Sequence, residues 1–265
     1  MIPRRLLTPV CGLLLLLPLR LEADAAPDMA PDEPPLHQLT IRTLSIGTGD
    51  FAGIHLQTGP DADPVELDFN PHRRSAPVQY EGPLPLIFFR KGPPPEPDAP
   101  PARIPVAVYP EREADVPEEL LLFFLPRAEA DPDTGTLFQV FGMDDSLEAF
   151  PRNTLVVFNA TGIPLVGKIH EDAFRSRPGA SRPFALRRTL YTGFAVETEE
   201  GPRIVFENNL EFAPDMRVIL MLRPPRRPRS IRFQSYNIIE RLDRPPPDPP
   251  PEAEDGADEE TNAGE

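Results

Sequence analysis

Proline decides what this chain can fold into. It occurs 39 times in 265 residues, against roughly 5% in ordinary globular proteins. A proline inside a helix removes a backbone donor and collides with the preceding turn, at a cost of about 3 kcal/mol or more. The longest stretch without one runs from Leu36 to Gly59, and Gly47, Gly49 and Gly53 interrupt it. Long helices have no room here. Strands accept proline at their ends, on sheet edges and in turns. The chain therefore reads as all-β: two tandem antiparallel β-sandwich modules, immunoglobulin-like or Greek-key in style, with proline-rich loops and a disordered acidic C-terminal tail.

The two ends read as non-structural. Arg4 and Arg5 precede a mostly apolar run, Leu6 to Leu19, and Ala23-Asp24-Ala25 supplies a small-x-small cleavage pattern. Fourteen residues at about 1.5 Å each fall short of a hydrocarbon core of roughly 30 Å. Residues 1–25 are thus expected to be an export signal, which places the mature chain in the periplasm or outside the cell with no transmembrane segment after cleavage. Cys11 is the only cysteine and lies within that signal, so the mature chain has neither disulfides nor thiol chemistry. Residues 26–35 read as a short disordered linker. Residues 245–265 contain eight acidic groups, no basic one and no large apolar side chain, so they cannot bury enough surface to offset their ordering entropy.

Between the ends, short apolar runs alternate with turn signals, and a first module over 36–148 and a second over 149–244 are expected. Val65, Leu67 and Phe69 alternate with Glu66 and Asp68, as in a strand wet on one face. Four runs are apolar on both faces: Leu86–Phe89, Leu120–Leu125, Leu155–Phe158 and Val218–Leu222. These are expected to be central strands. Thr189–Glu197, Arg203–Glu207, Arg217–Leu222 and Ser230–Ile239 read as consecutive antiparallel strands. The wording also repeats at an offset of about 100 residues. Leu121–Arg127 parallels Ile219–Pro225, and Thr43-Leu44-Ser45-Ile46 parallels Thr154-Leu155-Val156-Val157.

Charge divides the chain. Residues 26–149 hold 8 basic and 22 acidic groups, residues 150–244 hold 16 and 10, and the tail adds its 8 acids. An acidic first module or tail could dock on the basic second module, within one chain or head-to-tail between chains.

Candidate sites are sparse. Arg223, Arg226, Arg227 and Arg229 form a basic loop able to touch an anion or a partner. The acidic total and the lack of interleaved aromatic platforms argue against nucleic acid. Asp131-x-Asp133-x-Gly135 has calcium-loop spacing at its start but Gly142 at the twelfth position, where a bidentate glutamate is needed; it is expected to be a hairpin turn. Asn159-Ala160-Thr161 is a glycosylation sequon, expected to form an ordinary turn closed by Gly162. His37, His55, His72 and His170 lack metal spacing. Ser181 sits outside a nucleophile elbow, and Asp144-Asp145 does not define a glycosidase pair. No catalytic, cofactor or metal residue is assigned.

Pro77–Leu84 (PVQYEGPL) and Pro151–Gly162 (PRNTLVVFNATG) resemble stretches of uncharacterised exported bacterial β-sandwich proteins. That resemblance implies the fold and export and carries no activity. The expectation is an exported, non-enzymatic structural or protein-interaction protein of the cell envelope. A carbohydrate- or ligand-binding accessory module and a hydrolase with a loop-assembled site are the alternatives.

Overall fold

The computed structural model describes residues 34–110, 116–227 and 230–242. The export signal, nearly all of the 26–35 linker, Arg229 and the acidic tail lie outside the described residues. These contain no helix, and hence none long and apolar enough to cross a membrane. All regular structure is β, in four open sheets.

The first half supplies eight strands: β1 (His37–Ser45), β2 (Ile54–Leu56), β3 (Val65–Glu66), β4 (Val78–Gly82), β5 (Leu86–Lys91), β6 (Arg103–Tyr109), β7 (Glu119–Pro126) and β8 (Phe138–Asp144). They form an inner sheet, β4-β1-β7-β8, and an outer sheet, β3-β2-β5-β6. The second half supplies β9 (Thr154–Asn159), β10 (Leu165–Ile169), β11 (Asp172–Ser176), β12 (Gly179–Ala180), β13 (Phe184–Ala185), β14 (Thr189–Thr198), β15 (Gly201–Glu211), β16 (Met216–Arg223) and β17 (Gln234–Arg241). Its inner sheet is β12-β9-β16-β17, with β13 also on β9, and its outer sheet is β11-β10-β14-β15.

Three apolar cores explain why β7, β9 and β16 lack a polar face. Leu120, Leu122 and Phe124 of β7 point at the outer sheet, meeting Leu56, Leu86 and Phe88. Leu121 and Phe123 point the other way and meet Val156, Phe158, Ile219 and Met221 of the second inner sheet. In β16, Val218, Leu220 and Leu222 face Leu165, Leu190 and Phe194 of the second outer sheet. Successive strand side chains alternate between faces, so a strand sandwiched between two cores must be apolar at every position. At the junction the Phe123 and Phe158 rings stack with centroids 3.9 Å apart.

Several expectations need correction. Leu86–Phe89 is central within its sheet, with β5 flanked by β2 and β6, but it is not buried on both faces: that sheet is an outer one, and Ile87 is 48% exposed. The last strand begins at Gln234, four residues later than expected, because Ser230 to Phe233 adds no strand and only the Phe233 N–H reaches back, to Val205 O. The sheets are not purely antiparallel. β1 pairs with β7, and β9 with β16, in parallel. A parallel pair needs a long crossover, which proline denies to a helix; here the chain crosses through the opposite sheet instead. β16 accordingly pairs with β9 and β17 rather than continuing from β15.

The two halves have the same strand order when β9, β10, β11, β12/β13, β14, β15, β16 and β17 are set against β1 to β8 in sequence. The correspondence reaches single bonds. Ile46 N donates to Phe124 O at 2.9 Å, and Ala160 N to Leu222 O at 2.9 Å. A serine in each half stands in for a strand partner. Thr43 N donates to Ser75 Oγ at 2.9 Å, and Val157 N donates to Ser181 Oγ at 3.0 Å. In return Ser75 N donates to Thr43 O and Ser181 N to Val157 O. Proline follows two residues after each, in Ser75-Ala76-Pro77 and Ser181-Arg182-Pro183. The Leu121/Ile219 alignment read from the sequence fits this register. The Thr43/Thr154 alignment does not: Thr43 corresponds to Val157, three residues further on.

Candidate functional site

The expected basic loop does not assemble a site. Arg223 closes β16, with its positive charge partly opposing the burial that raises the Tyr236 hydroxyl pKa. Arg226 and Arg227 sit exposed in the following bend, whose backbone is tied by Ser230 N to Arg227 O. The Gln234 amide adds a bond to Pro224 O at 3.1 Å. Arg229 lies outside the described residues.

The other sequence candidates have structural employment. Asp131 Oδ1 accepts from the Thr134 N–H, the Thr134 hydroxyl and the Asp133 N–H at 3.0, 3.0 and 3.1 Å. Those bonds, led by Thr134, hold its pKa below the usual carboxylate value, with Arg127 adding to the effect. The loop is a self-satisfied hairpin turn. Asn159 is fully buried. Its amide nitrogen donates to Ile163 O and Ser176 O, and its oxygen accepts from the Thr161 N–H and hydroxyl. No atom of that side chain is left for a glycan in the folded protein. His170 takes φ 50° at the turn between β10 and β11, a left-handed position that suits a two-residue hairpin loop.

Asp145 is the buried exception. Arg74 grips its carboxylate through Nε and Nη2 at 3.0–3.2 Å, and Arg42 adds a contact at 3.3 Å. Arg217 donates to Asp145 O at 2.7 Å and Phe150 O at 3.2 Å, and its Nε donates to Glu240 at 2.7 Å. The Phe150 ring lies against both Arg74 and Arg217. The members come from the first half, the connector and the second half, so the network clasps the junction. Sequence reading passed over it because its partners lie far apart in the chain, Arg42 pairing with Asp145 and Arg74 with Glu240.

Two of the concave features formed by the described residues bear on function. The first is a groove of about 580 Å³ on the outer sheet of the first half. Pro60, Tyr80, Pro83, Pro85, Ile87 and Pro105 form its apolar wall, with Arg103 and Glu81 at its margin. Gly82 makes room for Tyr80: a Cβ there would fall 2.6 Å from the tyrosine oxygen. The Tyr80 hydroxyl donates to Pro83 O, and burial raises its pKa. Phe89, opposite Pro105 across β5 and β6, is covered by the Arg103 guanidinium at 5.0 Å and by the stacked His55 ring. The second feature is a cavity of about 870 Å³ in the other half, lined by Asn153, Leu186, Arg187, Arg188, Glu211 and Pro214 among others. Neither was legible in the sequence, since each draws on three or more separate segments.

Among the described residues no group of three or more His, Cys, Asp or Glu side chains is placed to hold a metal ion. No protein-family model and no curated protein sequence matches the chain.

Proposed function

We propose that this chain is an exported, non-catalytic interaction protein of the cell envelope. It is built from two copies of one Greek-key sandwich unit, and it holds an extended apolar segment of a partner protein in the groove of its first outer sheet. The groove carries this reading. Its wall is made of proline rings and aliphatic carbon, which lose little entropy on ordering a ligand and present few donors of their own. Apolar segments of partner chains dock into hydrophobic grooves. Arg103, fixed against Phe89, offers an outward charge for a peptide carbonyl or carboxylate.

The rings in the groove favour a peptide over a sugar. Tyr80 and Phe89 are 7% and 3% exposed, so neither offers an open face of the kind a saccharide stacks on. The matched strand order and paired serine bonds support descent of both halves from one unit. Export rests on the sequence of residues 1–25.

A photoreactive residue at Ile87 would test the reading in the native envelope. The same probe at Ile204, which is 59% exposed on the second outer sheet, is the control. A discrete adduct from position 87, absent from 204 and lost with Arg103→Glu, is expected. The same adducts from both positions, or none from 87, would refute it.

A further inference from the structure

The arginine-lined cavity of the second half has a feature the groove lacks: the chain leaves the described structure at its rim. Leu242 N donates to Asp215 O at 2.9 Å, and Asp215 N donates to Asn153 Oδ1 at 2.8 Å. Asn153 and Pro214, on either side of that exchange, both line the cavity. The 23 residues that follow, 243–265, contain nine acidic groups and a single basic one, Arg244. Inside the cavity the balance is reversed, with Arg187 and Arg188 against Glu211. Neither arginine makes an ion pair or side-chain hydrogen bond among the described residues.

We infer that the cavity is an acidic-peptide site whose occupant is this chain's own segment 243–265, folded back past the proline run so that Glu252–Glu260 meets Arg187 and Arg188. Reach is sufficient. As a polyproline helix, a run the length of Pro245–Pro251 would span about 3.1 Å per residue, and nine residues such as Glu252–Glu260 can extend at most about 3.3–3.6 Å each. The second stretch can therefore retrace the first. Exposed ion pairs are individually weak, but a short tether supplies an effective concentration on the order of millimolar. A contact too weak to form between separate molecules is thereby populated within one. Such a contact is also salt-sensitive, because about 1 M salt shortens the Debye length to about 3 Å. The inference is independent of the groove in the other half.

Arginine-specific modification by phenylglyoxal, read out by peptide mass spectrometry on the full chain, tests it without truncation. The comparison is a full-length variant with Glu252→Gln, Glu254→Gln, Asp255→Asn, Asp258→Asn, Glu259→Gln and Glu260→Gln. In low salt, Arg187 and Arg188 are expected to react roughly two- to tenfold more slowly in the wild-type chain, as for a contact with a dissociation constant of about 0.1–1 mM at a millimolar effective concentration. That protection disappears in the variant and at about 1 M salt. Arg226 and Arg227, exposed in their own bend, react equally in both chains. Equal rates at Arg187 and Arg188 in the two chains would overturn the inference. So would protection at Arg226 and Arg227 instead. Protection that grows with protein concentration would assign the occupant to a second copy and overturn the intrachain assignment.

Discussion

The two halves of this protein share a skeleton and differ in skin. Strand order, the parallel pairs, the serine that replaces a strand partner and the apolar alternation of the inner strands recur in both. The concave surfaces do not recur. The first half has an apolar groove of proline and tyrosine, and the second a cavity with two arginines that make no ion pair among the described residues. The difference teaches that residues facing the three cores are constrained by packing, whereas loops and outer faces are free to acquire separate chemistry.

The junction between the halves gives the sharpest way to break that comparison. Phe123→Ala removes a ring stacked on Phe158 in a core fed by both inner sheets. It should cost about 3–5 kcal/mol, measured by chemical denaturation, and should lower the stability of both halves together. Asp145→Ala leaves Arg42 and Arg74 without their shared carboxylate acceptor, while Arg217 keeps its bond to the backbone carbonyl of residue 145. Its cost should fall near the lower end of about 3–5 kcal/mol, since Glu240 still pairs with Arg74 and Arg217.

The serines sharpen the equivalence. Ser75→Ala and Ser181→Ala each strand one backbone N–H, a loss of about 1–3 kcal/mol for a buried donor. Ser75 is buried and Ser181 only half-buried, so water can replace the second more easily. Ser75→Ala should therefore be the more damaging in matched thermal melts.

Alkali gives a smaller and more distributed effect. Burial raises the pKa of Tyr80, Tyr109 and Tyr236 above 10.0. A phenol whose folded pKa exceeds its unfolded value stabilises the fold below about pH 10, and that contribution is lost as pH rises through the folded value. Tyrosinate absorbance should therefore appear together with unfolding in an alkaline titration. Early, complete ionisation of all four tyrosines before any loss of structure would contradict the burial assigned to these three.

How much of this was legible follows from range. Proline content and two-faced apolar runs such as Leu120–Leu125 are local signals, and they announced sheets and central strands correctly. Leu86–Phe89 deceived because Phe89 is buried by an arginine and a histidine on the outer face, not by a second core. The Thr43/Thr154 alignment slipped because letter similarity ignores pairing, and a shift of three exchanges the two faces of a strand. Ser75 and Ser181 carried a usable signal, Ser-x-Pro before a strand at matched positions. The arginine network, the groove and the cavity had none, since each is made by segments brought together only by the folded chain.

Native-state hydrogen exchange across a denaturant series tests the central claim, that one shared core makes the two halves a single cooperative unit. The amides of residues 119–125 in β7 and of β16, Met216–Arg223, should exchange only through a common global opening, with the same free energy and the same denaturant dependence. If either strand loses protection at a lower denaturant concentration while the other stays closed, the halves are separate domains, and the junction is a contact between them rather than the core they share.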